Sequence, residues 1–452
     1  MHIFSNQKLR FTLGFAAFLL VGAVSSGLYT HSKNQPKNSA EQVEKPLLFT
    51  QSEKSLFKKS QISPLTIQPV ARLATSVQNS VILPQISEQS ISPENTSTSE
   101  QNIASIPVTY PVIDEWQKYK FSIEGNQVLS PGKLPTSNIN VKQADLLTVL
   151  VNTRKYFQDN AAEDPNIFRK GILGTQGVTV EDIIKTLDFM TTILKEDIAN
   201  NRTTRLENPE FINTNFRIIK WSAHHPKNQK QNQVRITKYA VFEHTGSRTK
   251  TTTYNIPIYS LTQDNIADKF YTKYTKQDVL SGIYEPGGKE HGRVKPLAYL
   301  TRDGLEEALM QGTILINLTD GTQAFFNVDR NNGISYVQGL KPTAQKRYWY
   351  FRQVEAIKGY GHNIDAKISI KPGVTFAGDI LNIGLGRVVV IEHTRNGRKQ
   401  LQMGVVADTG GAFLPNLHQL DFLAGTFKNR QEFTQNIRQL PEYATAYFLV
   451  KK

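Results

Sequence analysis

The sequence predicts a mainly β protein, a barrel, preceded by a helical front section, and three observations carry that expectation. Beyond about Val234, short runs rich in β-branched and aromatic residues recur, at 239–242, 256–259, 314–318, 324–328, 388–391 and 401–406. Turn residues separate them at irregular intervals, with Asp320-Gly321 and Asn396-Gly397 each placed as a hairpin turn between two such runs. Helical spacing of apolar residues, by contrast, is concentrated before them. Many short strands joined by turns, without alternating helices, favour a barrel over a parallel α/β sheet. No repeat of fixed period is present.

Taken in order, the chain begins with Lys8 and Arg10 ahead of an uncharged apolar run over 11–29. A basic flank followed by such a run reads as a signal peptide or a single membrane anchor, and residues 1–30 are assigned to it. Ala23-Val24-Ser25 offers a small-residue cleavage site. Either form places the rest of the chain outside the cytoplasm, in the cell envelope. Residues 31–110 are rich in Ser, Gln, Asn, Pro and Lys without a sustained period, the pattern of a flexible tether. Residues 111–235 form the helical section packing on the barrel. Leu146, Leu147, Leu150, Val151 and Phe157 mark one apolar stripe. Thr179 with Asp182 makes a capping box ahead of Ile183, Leu187, Met190 and Leu194. Asn208-Pro209 is a further helix start.

Composition removes several chemistries. The 452 residues include no cysteine, so disulfides, thiol catalysis, thiolate metal sites and a lipid-modified N-terminal cysteine are excluded. The nine histidines show no metal-ligand spacing, and the adjacent His224-His225 reads as surface. No P-loop, dinucleotide fingerprint or Ser-His-Asp pattern is present, so neither metal nor cofactor is expected. The net charge of +14 raises nucleic acid as a partner, but no helix-turn-helix, zinc-finger or RNP-like signature accompanies it. For an exported monomer, an anionic cell wall is the better match.

The chemistry concentrates near the C-terminal end. A valine-rich run ends in Asp408-Thr409-Gly410-Gly411-Ala412, and Asp421 follows between Leu420 and Phe422-Leu423. Paired glycines admit a ligand where a Cβ would block it. This segment resembles the three-aspartate (3D) domain of the membrane-bound lytic murein transglycosylase A family. Further fragments are similar to family motifs in the family's order. Ile236-Thr237-Lys238-Tyr239 through Ile256-Pro257-Ile258-Tyr259 resembles "TGYYEP … YPIY", with Lys238 in place of Gly and Val241-Phe242-Glu243-His244 replacing Tyr-Glu-Pro. Tyr274 to Asp278 resembles "YTR-x-E/D"; Met310-Gln311-Gly312-Thr313 with Leu318 to Gly321 resembles "IQGSG … LPDG". Asn331 to Tyr336 is similar to "KNGHPY", Tyr350-Phe351-Arg352 to "FFR", and Ile364-Asp365 through Gly373 to "VD … IPLG". The likeness runs from about Gln143 to the C-terminus. It implies a double-psi β-barrel completed by residues 346–452, a second β-domain inserted over 236–345, and a groove between them.

By that resemblance the protein cleaves peptidoglycan glycan strands. Asp421 is then the catalytic acid/base, with Asp408 and Asp365 supporting it and shaping the groove. Gln311, Gly312, Thr409, Gly410, Gly411 and Ala412 would contact the substrate. One departure stands out: Asp421 follows Asp408 by thirteen positions, two more than is usual in the family, an excess the loop 416–419 can absorb. The residues support the same chemistry independently. Leu420, Phe422 and Leu423 form an apolar collar that would keep the Asp421 carboxyl protonated near neutral pH. Structural roles remain open for each: Asp421 as a turn or cap residue, Asp408 bonding the amides of its own turn, and Trp221, Trp349 and Tyr348 as core rather than sugar platforms. Two other functions stay open as well, a wall-binding protein without turnover and a hydrolase using Asp408 and Asp421 as a pair.

Overall fold

The structure, a computed structural model, describes residues 108–337, 339–410 and 415–452. The expected export segment over 1–30, and the tether apart from residues 108–110, lie outside the described residues. No described helix is long and apolar enough to cross a membrane.

The front section mixes strands with helices, where the sequence favoured helices. Strands β1 (Thr109–Ile113) and β2 (Tyr119–Glu124) form an antiparallel ribbon. The short β3 (Leu129–Pro131) and β4 (Ile139–Asn140) join the main sheet, as does β5 (Phe216–Trp221). Strands this short carry no period and exist only through their tertiary partners, so nothing local announces them. The helices match the sequence more closely. Helix α1 (Gln143–Asp159) buries Leu146, Val149, Leu150 and Phe157, while Leu147 is half-buried and Val151 is exposed. The helical period thus selects a narrower stripe than the apolar residues alone. Helix α2 (Val180–Ala199) starts at a complete capping box, with Thr179 Oγ1 accepting from Asp182 N at 3.1 Å and Asp182 Oδ2 accepting from Thr179 N at 2.9 Å. It buries Ile183, Leu187, Met190 and Leu194. Helix α3 (Pro209–Asn215) begins with the Asn208 carboxamide accepting from the amides of Glu210 and Phe211.

Strand β6 (Val234–Gly246), thirteen residues long, organises the rest. Its second part pairs in parallel with β9 (Thr313–Leu318), which continues through the Asp320-Gly321 hairpin into β10 (Gln323–Asn331) and then β11 (Trp349–Val354). A separate ribbon of β7 (Ile256–Leu261) and β8 (Val294–Leu300) contributes to the same aromatic-rich core, which also takes in Tyr271, Tyr284, Tyr348, Trp349 and Tyr350. Short helices α4 (Lys276–Leu280) and α5 (Arg302–Ala308) flank it. The Tyr274–Asp278 fragment is a helix start: Thr275 and Asp278 form a second capping box for α4.

The first part of β6 belongs to a different set of pairings. It lies parallel to β15 (Gln419–Phe427), which pairs with β12 (Thr375–Ala377), then β14 (Arg398–Asp408), β13 (Val388–Arg395) and β16 (Tyr443–Lys451). Pairing of Tyr443 with Arg235 and of Ala444 with Val234 returns β16 to β6. Six strands therefore follow one another round a closed circuit, inside a large mixed sheet. Helix α6 (Arg430–Ile437) joins β15 to β16, its Phe433 packing on Phe242 and Phe427. The β13–β14 hairpin turns at Asn396 (φ 50°) and Gly397 (φ 73°), the two positive angles a tight hairpin turn requires and an Asn-Gly pair supplies. That hairpin carries β14 straight to Asp408.

Candidate active site

Three-residue β12 is the wedge that assembles the site. On one side it runs parallel to β14, with Ala377 opposite Asp408; on the other it runs antiparallel to β15, with Ala377 opposite Asp421. The two aspartates thus sit on strands flanking one short strand, their backbones about 9–10 Å apart by strand spacing. Strand β6 completes the frame from the far side of β15, setting Thr237 opposite Asp421. Two residues further along, on the same face, Tyr239 donates its hydroxyl to Asp408 Oδ2 at 2.7 Å. Asp408 Oδ1 accepts from the amide of Thr409 at 2.8 Å, and Thr409 Oγ1 donates to the carbonyl of Gly378 at 2.8 Å.

The two carboxyls differ in environment. Asp421 lies between Leu420, Phe422 and Leu423, all essentially buried, and Phe422 packs against Phe376. Its Oδ1 is buried and has no hydrogen-bond partner among the described residues. Burial, reinforced by the negative charge of Asp408, pushes the Asp421 carboxyl up to about 7, against the opposing pull of Thr237, Lys238 and Arg235. Burial also raises Asp408, to about 6, opposed by the bonds from Tyr239 and Thr409 and by the charge of Lys367. Lys367 itself is lowered by burial to about 8 and donates to Asn327 Oδ1 at 2.6 Å. A carboxyl with a free, buried oxygen and a proton retained near neutrality can give that proton up and take one back.

The other expected site residues are placed differently. Asp365 is exposed and ion-pairs with Arg352, which also reaches Asp329 at 3.3 Å. The Gln311 side chain is committed inside the protein. Its Oε1 accepts from Phe242 N at 2.9 Å, and its Nε2 lies 3.1 Å from His244 Nε2. Burial lowers His244 to about 4, so the imidazole is neutral and accepts from that amide. The Gly312 carbonyl accepts from Asn327 Nδ2 at 2.8 Å and from Val328 N at 3.0 Å. Gly410 is buried at the end of β14, whereas Gly411 and Ala412 lie outside the described residues. Trp221, Trp349 and Tyr348 are core, Trp221 stacking on Phe448.

His224 and His225 depart from the expected surface position. Both are half-buried: His224 bridges to Leu417, and the His225 ring lies 4.1 Å from that of His418. Sequence reasoning also missed Tyr239, Thr237 and Lys367. The roles of Thr237 and Tyr239 depend on the parallel register of β6 and β15, far apart in the chain, and the one available signal was the Ile236-Thr237-Lys238-Tyr239 fragment; Lys367 lies in a loop outside any strand.

No protein-family model matches the sequence, and no curated protein does either. Among solved structures, the chain is similar to a membrane-bound lytic murein transglycosylase from Agrobacterium tumefaciens. The identity is 16%, over 72% of this chain and 97% of that one, with a TM-score of 0.47. It is also similar to MltA of E. coli solved with bound chitohexaose (15% identity, 72% and 95% of the two chains, TM-score 0.45). MltA of Neisseria gonorrhoeae gives 12% identity, 71% and 96% coverage and a TM-score of 0.44.

Proposed function

We propose that this protein is a lytic transglycosylase of the bacterial cell wall, cleaving the β-1,4 bond between N-acetylmuramic acid and N-acetylglucosamine and leaving 1,6-anhydromuramyl ends. The observation that carries this reading is Asp421, a half-buried carboxyl with a buried, unpartnered oxygen and a proton retained to about pH 7. Hydrolysis would need a second carboxylate to activate water. Here the substrate supplies its own nucleophile. Asp421 gives its proton to the glycosidic oxygen as the bond to the anomeric carbon breaks. The resulting carboxylate then takes the proton of the muramic C6 hydroxyl while O6 bonds to that carbon. The proton balance closes and no water is consumed. An attack within one sugar ring gains from proximity. Asp408, held by Tyr239, adds negative charge beside the positive anomeric centre.

In this reading the closed strand circuit is a double-psi barrel completed by residues 346–452. The β-domain over 236–345 is its insert, glycan strands lie in a groove between them, and the working location is the envelope. The turn at Thr409 to Ala412 approaches the sugar, and Asp365 shapes the rim. The second reading, a wall-binding protein without turnover, is favoured by Gln311, whose amide is spent on Phe242 and His244. Mass spectrometry of digested sacculi separates the possibilities. New anhydro ends are expected; new reducing ends would make the protein a hydrolase, and intact strands would leave only binding.

A further inference from the structure

The register that sets Thr237 opposite Asp421 also sets Arg235 opposite Gln419, one step earlier on the same face of the two strands. Arg235 has no ion pair among the described residues, and its Nε is buried without a hydrogen-bond partner. Immediately before Gln419, His418 carries a second such atom: its Nδ1 is buried without a hydrogen-bond partner among the described residues, the His224 backbone being the ring's polar neighbour. Asp421 Oδ1 is the third. Arg235 draws them together: its amide bonds to the His418 carbonyl, and its charge acts on both His418 and Asp421. Burying a polar group without a partner is costly, so a corner that holds several is shaped for something that supplies the missing bonds.

The charge of the corner says what that is. Lys238, opposite Phe422 on the other face of β6, is spent elsewhere: its Nζ donates to the carbonyl of Pro441, with Glu442 acting on it from the same segment. His418, packed against the His225 ring, is neutral because burial lowers it to about 4. With the Asp421 proton in place, Arg235 is a planar fork of donors with no acceptor among the described residues. A sugar hydroxyl does not call for a guanidinium, whereas a carboxylate matches its fork with two parallel bonds.

Resting on the transglycosylase reading, the geometry points to Arg235, with His418 beside it, as a carboxylate-binding subsite that anchors the acidic substituent of the muramic acid next to the bond being cut. That substituent is the free lactyl carboxylate in peptide-stripped strands, or a stem-peptide carboxylate in native ones. Both are the same chemistry at the guanidinium.

The test is a cycle of binding constants measured in the non-cleaving Asp421→Asn background, so that turnover does not interfere. Native strands, peptide-stripped strands, and both after chemical amidation of their carboxyls are titrated against the parent and against a variant also carrying Arg235→Gln. Amidation is expected to weaken binding to the parent about 10–50-fold and to the Arg235→Gln variant less than about 2-fold, the order expected for a charge-assisted pair. Arg235→Lys, which keeps the charge without the fork, should fall between. The strand type on which the difference appears identifies the carboxylate as lactyl or peptidic. Equal losses on amidation for parent and variant overturn the subsite. Since the Arg235 side chain makes no hydrogen bond or ion pair among the described residues, while its backbone pairs with Gln419 and Tyr443 and its amide donates to the His418 carbonyl at 2.8 Å, the substitution leaves the strand pairing in place. A wild-type protein that releases no anhydro ends would refute the reaction, and the binding cycle would still decide the subsite.

Discussion

Asp421→Asn should lower the release of anhydromuramyl ends by at least about three orders of magnitude, since Asp408, the other carboxyl of the site, has its oxygens engaged by Tyr239 and Thr409. The amide matches the carboxyl in size and stays polar, so the fold should persist, and the stability should move in a diagnostic direction. The folded carboxyl titrates near 7, above the 3.8 of a free aspartate. Between those values the folded state holds a proton that the unfolded chain has lost, so the contribution of Asp421 to stability is fully present below about pH 4. It declines as the pH rises through 7. Above pH 7 the wild-type protein therefore carries the cost of a buried charge that the asparagine variant does not. Thermal melts at pH 8 should show the variant higher by roughly 3 °C, with the difference vanishing near pH 4. A variant that retains turnover would move the acid to another residue. An unchanged melt at pH 8 would show that burial does not hold the proton.

Asp379→Ala should be the most damaging single change to stability. This carboxylate is fully buried beside β12, and its oxygens take four bonds: Leu381 N at 3.1 Å, Asn382 N at 3.0 Å, Asn382 Nδ2 at 2.7 Å and Asn416 N at 2.8 Å. Asn382 in turn holds the β1–β2 ribbon, accepting from Ile113 N at 3.0 Å and donating to the Ile113 carbonyl at 2.8 Å. The bond to Asn416 fixes the chain just before His418 and β15. Removing the carboxylate strands four buried donors, at a cost on the order of 3–5 kcal/mol. Melting should fall by roughly 10 °C. Turnover should fall too, because the path leading to Asp421 loses its anchor. Asp379→Asn, which keeps an acceptor oxygen, should recover part of both. A melting point within a degree of wild type would show that Asp379 is dispensable.

What was legible in the sequence is what local chemistry encodes. Asn396-Gly397 fixes its hairpin because few other pairs accept two positive φ angles. Thr179 and Asp182 fix the start of α2 because the side chains satisfy each other's amides. The apolar residues around Asp421 announced a perturbed carboxyl because desolvation depends first on immediate neighbours. The rest depends on distant partners. Thr375-Phe376-Ala377 is too short to show a period, yet it sets both aspartates in place. Nothing near Gln311 tells that its amide will be taken by Phe242 and His244, since that contact requires β6 to run past it. His224-His225 read as surface until Leu417 and His418 closed over them. Asp379 carried no motif at all; its importance lies in donors from Leu381, Asn382 and Asn416 that only the folded chain brings together.

The proposed reaction requires a proton that stays on one aspartate at neutral pH. Carbon-13 NMR titration of the aspartate side-chain carboxyls, wild type against Asp421→Asn, measures it directly. The resonance missing from the variant should titrate with a midpoint near 7. A midpoint near 4 would mean an ordinary ionised carboxylate with no proton to give, and the mechanism would not stand.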